Sequence, residues 1–254
     1  MFCDLTEPFE RCYETTKLGS ELNAVRIPTR KEVFDDIESG KYDAWKPTIL
    51  SKDPWLIQFN SFVTREERRH MINLGNSVGW YQITSPESSS SKSSFSTSVL
   101  SEDVPMTSLY KSLLEKISHL TKSTLSHIEH VELIKYSNFG DSYERHSDYQ
   151  IHDDWKPAGP RMFSFILCLS ATYADSAEDM GGAIGFPKLD WMTVKPKPGQ
   201  ALFWSNVKDR NLDDSIQREE IFYETLPLLK GELIMAHIWI HSGDWQSAFN
   251  DDCI

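Results

Sequence analysis

The stretch Tyr136–Asp148, YSNFGDSYERHSD, closes on a histidine and a carboxylate two residues apart. In an extended strand, side chains at i and i+2 point to the same face. His146 and Asp148 can therefore offer an imidazole nitrogen and a carboxylate oxygen to one metal ion, with Ser147 turned away. Two such ligands and a distant third histidine form the facial triad that holds non-haem Fe(II) with open positions. The spacing alone is unspecific. His152-Asp153-Asp154 repeats it, and His127-Ile128-Glu129 and His130-Val131-Glu132 give His-x-Glu. Among eight histidines such pairs arise by chance, and most of them read as ordinary surface or core residues.

From Val131 onward the chain is a series of short runs rich in β-branched and aromatic residues: VELIKY, RMFSFILCLS, AIGFP, WMTVKP, QALFWSN and ELIMAHIWIH. Gly159-Pro160, Gly181-Gly182, Pro196 to Gly199 and Lys230-Gly231 separate them. This pattern predicts about six to eight strands. Upstream, Pro54 to Phe59 (PWLIQF) predicts another strand. Thr64-x-x-Glu67 is a capping box opening the helix REERRHMINLG, with Gly75 closing it. Leu109, Leu113 and Ile117 repeat at helical spacing and predict a second amphipathic helix. The serine-rich segment from Thr84 to Ser98 reads as a mobile loop between them. Residues 1–47 show no clear period beyond one short helix ending at Gly40, and read as an N-terminal arm on a domain spanning 48–254. The fold class expected is α+β, mainly β: a jelly-roll core with flanking N-terminal helices.

Composition narrows the partners. A net charge of -12 and a pI near 5.1 argue against nucleic acid or an anionic membrane. No stretch approaches a transmembrane span, and the first residues lack the basic start and apolar run of a signal peptide. Cys3, Cys12, Cys168 and Cys253 form no CxxC pair, so a structural zinc site is not expected. Cys168, inside FSFILCLS, reads as a buried inert thiol, and Cys3 and Cys12 can pair in an oxidising compartment.

The surroundings of His146 carry a resemblance. Tyr136…Gly140…Tyr143-Glu144-x-His146-x-Asp148 is similar to the iron-binding strand of prolyl 4-hydroxylases of the 2-oxoglutarate/Fe(II) dioxygenase superfamily. The likeness continues in order through Arg161 to Leu169, Gly181 to Pro187 (GGAIGFP), Val194 to Trp204, Leu226 to Glu232 (LPLLKGE) and Trp239-Ile240-His241. Upstream, Ser51 to Glu67 resembles the strand and helix that begin the domain, so the match spans roughly residues 48 to 245. The resemblance implies a double-stranded β-helix fold and hydroxylation of peptidyl proline with Fe(II), 2-oxoglutarate and ascorbate. It makes His146 and Asp148 iron ligands, and it places Tyr136, Ser164 and Trp239 at the 2-oxoglutarate pocket. Its partners are a proline-containing peptide and, in some relatives, a second subunit. Its compartment is the secretory lumen, with a cytoplasmic location the alternative for a chain starting as this one does.

Three departures qualify that reading. Counted back from Pro227, the third iron ligand falls on Tyr223 in place of histidine. Counted forward, the lysine that pairs with the far carboxylate of 2-oxoglutarate falls on Leu233. One extra residue also separates Tyr136 from His146. A phenol with a reference pKa of about 10 is a poor ligand for Fe(II). Leaving a buried carboxylate without its partner costs roughly 3–5 kcal/mol, at least about a hundredfold in affinity. His237 shares strand parity with Leu233 and so points inward, while His241 matches a family position that is not a ligand. The expectation is a dioxygenase relative with impaired activity; the alternative is a pseudoenzyme that binds proline-containing peptides or an active partner.

Overall fold

All six apolar runs downstream of Val131 form strands, and they are joined by strands that periodicity did not mark. The computed structural model describes residues 30–84, 94–149, 157–172, 180–207 and 221–253. The strands are β1 (Pro47–Lys52), β2 (Trp55–Phe59), β3 (Tyr81–Thr84), β4 (Ser94–Leu100), β5 (Val131–Tyr136), β6 (Tyr143–His146), β7 (Arg161–Ala171), β8 (Ile184–Phe186), β9 (Met192–Val194), β10 (Ala201–Ser205), β11 (Tyr223–Thr225) and β12 (Leu233–His241). They build an eight-stranded sheet in the order β1-β2-β10-β7-β12-β5-β4-β3 and a four-stranded sheet in the order β6-β11-β8-β9. Every pairing is antiparallel. Two antiparallel sheets are the jelly-roll core expected from the strand pattern, in the double-stranded β-helix form that the resemblance implies.

The central strands of the large sheet are buried on both faces, which explains why they read as continuous apolar runs. Phe163, Phe165 and Leu167 of β7, Phe203 of β10 and Ala236, Ile238 and Ile240 of β12 join the helices in one core. The alternate residues Ile166, Cys168, Leu202, Trp204, Leu233 and Met235 face the small sheet in a second core with Ile184, Phe186 and Tyr223. A period of two thus splits each strand between two hydrophobic layers. Functional side chains on the second parity are held between the sheets.

Four helices flank the sheets among the described residues: α1 (Arg30–Glu38), α2 (Arg65–Val78), α3 (Ser108–Thr121) and α4 (Trp245–Asn250). Phe34 of α1 stacks on Trp55 at 4.7 Å and on Phe203 at 5.3 Å, which ties the helix to the large sheet. The capping box is present at α2, and its Glu67 also pairs with Lys116 of α3 at 2.9 Å. On α3 the buried stripe is Tyr110, Leu113, Leu114, Ile117 and Leu120, so the register is shifted from Leu109, which stays half-buried.

Two expectations are corrected. Gly75 does not close α2; the helix runs on to Val78 and ends at Gly79, whose φ is +101°. Gly75 lies on the face packed against the sheet, where an added Cβ would meet Leu133 Cδ1 at 2.6 Å. Its smallness serves close packing. The segment Thr84 to Ser98 is likewise not one loop, because Ser94–Leu100 is strand β4, paired with β3 and β5. There Ser98 donates to the carbonyl of Gly75 at 3.2 Å, so small side chains on both elements let α2 lie close on the sheet. Residues 85–93 lie outside the described residues.

Cys168 carries a free, buried thiol that burial pushes up to about 12, as suits an inert core residue. Cys253 is disulfide-bonded. Cys3 and Cys12, which can pair in an oxidising compartment, lie outside the described residues, as do His152 and Asp154. No helix among the described residues is long and apolar enough to cross a membrane.

Candidate active site

The small sheet brings the key positions together. Its strands β6 and β11 pair so that Tyr223 stands directly opposite His146. Asp148 follows β6 at once and is buried. His146 Nε2 lies 3.8 Å from Asp148 Oδ1, so the two expected ligands converge on one point. The imidazole Nδ1 donates to the carbonyl oxygen of Glu144 at 2.8 Å. Tyr143 stacks on the ring at 4.2 Å, and the Tyr223 ring packs against it at 4.3 Å. Glu224, the next residue on β11, faces away and meets Arg145 at 3.3 Å.

Asp148 is satisfied by hydroxyls. The Tyr223 phenol donates to Oδ1 at 3.1 Å and Ser164 Oγ donates to Oδ2 at 2.7 Å. The chain of bonds continues across the large sheet: Asn206 Nδ2 donates to Ser164 Oγ at 2.8 Å, and Trp204 Nε1 donates to Asn206 Oδ1 at 2.9 Å. Burial, together with the charge of Asp148, drives the Tyr223 phenol well above its ordinary value, so it stays protonated and acts as the donor. A buried carboxylate needs such donors or a cation. Here the donors are in place.

Two donor atoms, a protonated phenol in the third position and a carboxylate whose oxygens are both hydrogen-bonded do not make a facial triad for Fe(II). Among the described residues no group of three His, Cys, Asp or Glu side chains is placed to hold a metal ion. The 2-oxoglutarate end differs in the same sense. Leu233 is fully buried opposite Tyr136 on β5, in the apolar layer with Met235 and Trp204. Of the residues expected to contact that oxoacid, Tyr136 donates its hydroxyl to Thr225 Oγ1 at 3.2 Å and Ser164 serves Asp148. Trp239 lies opposite Ser164 on the adjoining strand. The donor set as it stands does not fit the metal and oxoacid together.

A second cluster escaped the sequence reading. A register shift between Ile240 and His241 sets Arg161 opposite His241, and its guanidinium lies 4.0 Å over the Trp239 ring. Arg161 forms a forked ion pair with Glu129 at 2.7 and 2.8 Å. His241 Nε2 meets the same carboxylate in a very short hydrogen bond, and its Nδ1 donates to the carbonyl of Gly159 at 2.7 Å. Burial alone would raise Glu129, but the His241 hydrogen bond and the charge and hydrogen bonds of Arg161 hold its carboxyl at about 2. The i, i+2 spacing of Trp239 and His241 was a signal for this face. Glu129 stood out only in a His-x-Glu pair and Arg161 only as the start of a strand, because the bulge that aligns them is tertiary.

His237 is buried on β12, and neither ring nitrogen has a hydrogen-bond partner among the described residues. Burial holds its pKa down at about 3, so the ring is neutral. It lies 6.4 Å from the Tyr143 ring, 6.3 Å from Tyr223 and 5.9 Å from Trp239.

This architecture has known counterparts. A viral collagen prolyl hydroxylase of Paramecium Bursaria Chlorella virus-1, solved as its 2OG complex, shares the fold with a TM-score of 0.53 and 21% identity, over 73% of this chain and 95% of that one. A prolyl hydroxylase of Trichoplax adhaerens, solved with a hypoxia inducible factor oxygen degradation domain peptide fragment, superposes with a TM-score of 0.55 and 12% identity, over 96% and 97% of the two chains. The chain thus shares the double-stranded β-helix fold of these two prolyl hydroxylases. In sequence it is similar to probable prolyl 4-hydroxylase 8 of Arabidopsis thaliana, with 25% identity over 253 residues, 90% of this chain and 82% of that protein. No family model matches the chain.

Proposed function

We propose that this chain is a prolyl hydroxylase-like domain that binds a proline-containing peptide, free or as part of a partner chain, with its oxygenase chemistry silenced. The observation that carries this reading is the 3.1 Å hydrogen bond from Tyr223 to Asp148, made by a fully buried phenol at the third-ligand position. Aromatic rings, Trp239 and Tyr143, stand beside it, and a preformed polyproline helix docks on aromatic-lined grooves. Arg161, fixed by Glu129, places a guanidinium at the same spot for peptide carbonyls. With no metal to reduce, ascorbate has no role in this reading.

A second reading, an oxygenase of weakened turnover, draws support from the 3.8 Å approach of His146 to Asp148. Calorimetric titration of 2-oxoglutarate into anaerobic, Mn(II)-equilibrated protein separates the two. The native chain is expected to show no binding, and the Tyr223→His, Leu233→Lys double variant to bind. Micromolar binding by the native chain would overturn the silent reading in favour of the oxygenase. A proline-rich peptide is expected to bind the native chain and to lose at least tenfold with Arg161→Ala or Trp239→Ala, about 1.4 kcal/mol or more.

A further inference from the structure

We infer that the amino-terminal arm is tied covalently to the end of α4, by a disulfide from Cys253 to Cys3 or Cys12. The tie is independent of the peptide-binding reading above.

The chain has four cysteines, at positions 3, 12, 168 and 253. Cys253 is disulfide-bonded, while Cys168 keeps a free thiol in the core between the sheets. A disulfide joins two cysteines, so the partner of Cys253 is one of the two in the arm. A bond between Cys3 and Cys12, which the sequence allows, is then ruled out, because one of them is already spent. The other arm cysteine is left as a thiol.

Cys253 sits where a bond can hold the chain end. Asp244 caps α4, its carboxylate accepting from the Ser247 N–H at 2.9 Å. Trp245 and Phe249 stack at 5.0 Å, and the His130 ring stands edge-on to both at 4.6 Å. Cys253 is 5% exposed and packs with Ala158, Trp245 and Ala248, and its N–H donates to the carbonyl of Ala248 at 2.8 Å. A helix as short as α4 is not stable by itself and depends on such anchors. Trp245 also lies 6.5 Å from the His241 ring, so α4 borders the cluster of Glu129, Arg161 and His241.

Joining position 3 or 12 to position 253 closes nearly the whole chain into a ring. The gain from such a link comes chiefly from restricting the unfolded chain, and it grows with the length of the loop closed. Its formation removes one hydrogen from each thiol. The two electrons and two protons pass to a disulfide oxidant of the glutathione class, which leaves as two thiols. Bonds of this kind persist in oxidising compartments, so the tie favours the secretory lumen over the cytoplasm.

The test is mass spectrometry on the full chain folded in a glutathione redox buffer, alkylated under denaturing conditions without reductant and cut by trypsin. Cleavage after Arg11 separates Cys3 from Cys12, and cleavage after Lys230 leaves Cys253 in the last peptide. Peptide 231–254 is expected to be linked to peptide 1–11 or to peptide 12–17, with Cys168 and the other arm cysteine alkylated. Any other pattern, a Cys3–Cys12 link or four alkylated cysteines among them, overturns this inference. Dithiothreitol is expected to lower the native Tm to that of Cys253→Ser and to leave the variant unchanged. A linked chain that melts no higher than Cys253→Ser overturns the stabilising role of the tie.

Discussion

Tyr223 and His146 stand opposite each other across β11 and β6, and the phenol of Tyr223 donates to the carboxylate two residues beyond that histidine. A side chain at the position expected for the third ligand thus donates a hydrogen bond to the carboxylate whose charge a divalent cation would otherwise balance. The hydrogen bonds run from Tyr223 through Asp148, Ser164 and Asn206 to Trp204, so they join the small sheet to the large one.

Removing the hydroxyl should expose that dependence. In Tyr223→Phe the ring packing against Trp204 is kept, while Asp148 Oδ1 loses its donor in a buried setting. Hydrogen bonds to charged groups are worth about 1.5–3 kcal/mol, which for a domain of this size is a fall in Tm of roughly 3–12 °C. Thermal melts followed by circular dichroism measure it. A melt indistinguishable from the native one would mean that the bond stabilises nothing.

The same geometry sets the response to metals. The native chain should melt at the same temperature in EDTA and in excess Mn(II), since among the described residues no triad awaits the ion. Tyr223→His should melt lower in EDTA and regain stability as Mn(II) saturates it, by about 2.7 kcal/mol at a hundredfold excess over Kd. Adding Asp148→Asn to that variant should abolish the gain. A saturable rise in the native Tm with Mn(II) would contradict this account.

Glu129 should govern part of the acid response. Its carboxyl is held at about 2 against an ordinary 4.5, so its stabilising contribution is complete above pH 4.5 and is lost as pH falls toward 2. Glu129→Gln leaves Arg161 buried without its counter-charge and should cost roughly 3–5 kcal/mol at neutral pH. The gap between variant and native should narrow steadily below pH 4.5. Urea unfolding at stepped pH values reads both stabilities, and a gap that stays constant to pH 2 would refute the assignment.

Gly75→Ala tests the helix packing. Alanine is the better helix former by about 0.8–1.0 kcal/mol, but its Cβ would meet Leu133 Cδ1 at 2.6 Å. Overpacking of this kind costs about 1–3 kcal/mol, so the net change should be destabilising. Gly75→Ala with Leu133→Ala should recover part of the loss of the two single variants, which denaturant melts of the four proteins would show as non-additivity.

Much of the architecture was legible in the chain because it depends on local chemistry. Runs such as Arg161 to Ala171 are apolar on both parities and rich in aromatic residues, as suits a strand buried on both faces. The capping box at Thr64 and Glu67 announces α2 because its two hydrogen bonds lie within four residues of each other. Strands β3 and β4 were hidden. Serine favours turns through its own local hydrogen bonds, and only the packing of α2, at Gly75, onto Ser98 makes the small residues of β4 suitable for a strand.

The site divides along the same line. The strand parity of His146 with Asp148, and of Leu233 with His237 and Trp239, was readable from a period of two, and so were the residue types at Tyr223 and Leu233. What those residues do was decided by tertiary structure. The pairing of β11 with β6 brings the Tyr223 phenol to Asp148, the bulge at Met162 of β7, opposite the end of β12, sets Arg161 over Trp239, and the meeting of two sheets leaves His237 buried with no hydrogen-bond partner among the described residues. Sequence carries local periodicity and chemical type. Which donor meets which acceptor across tens of residues is set by register and by the desolvation that comes with packing, and these exist only in the folded chain.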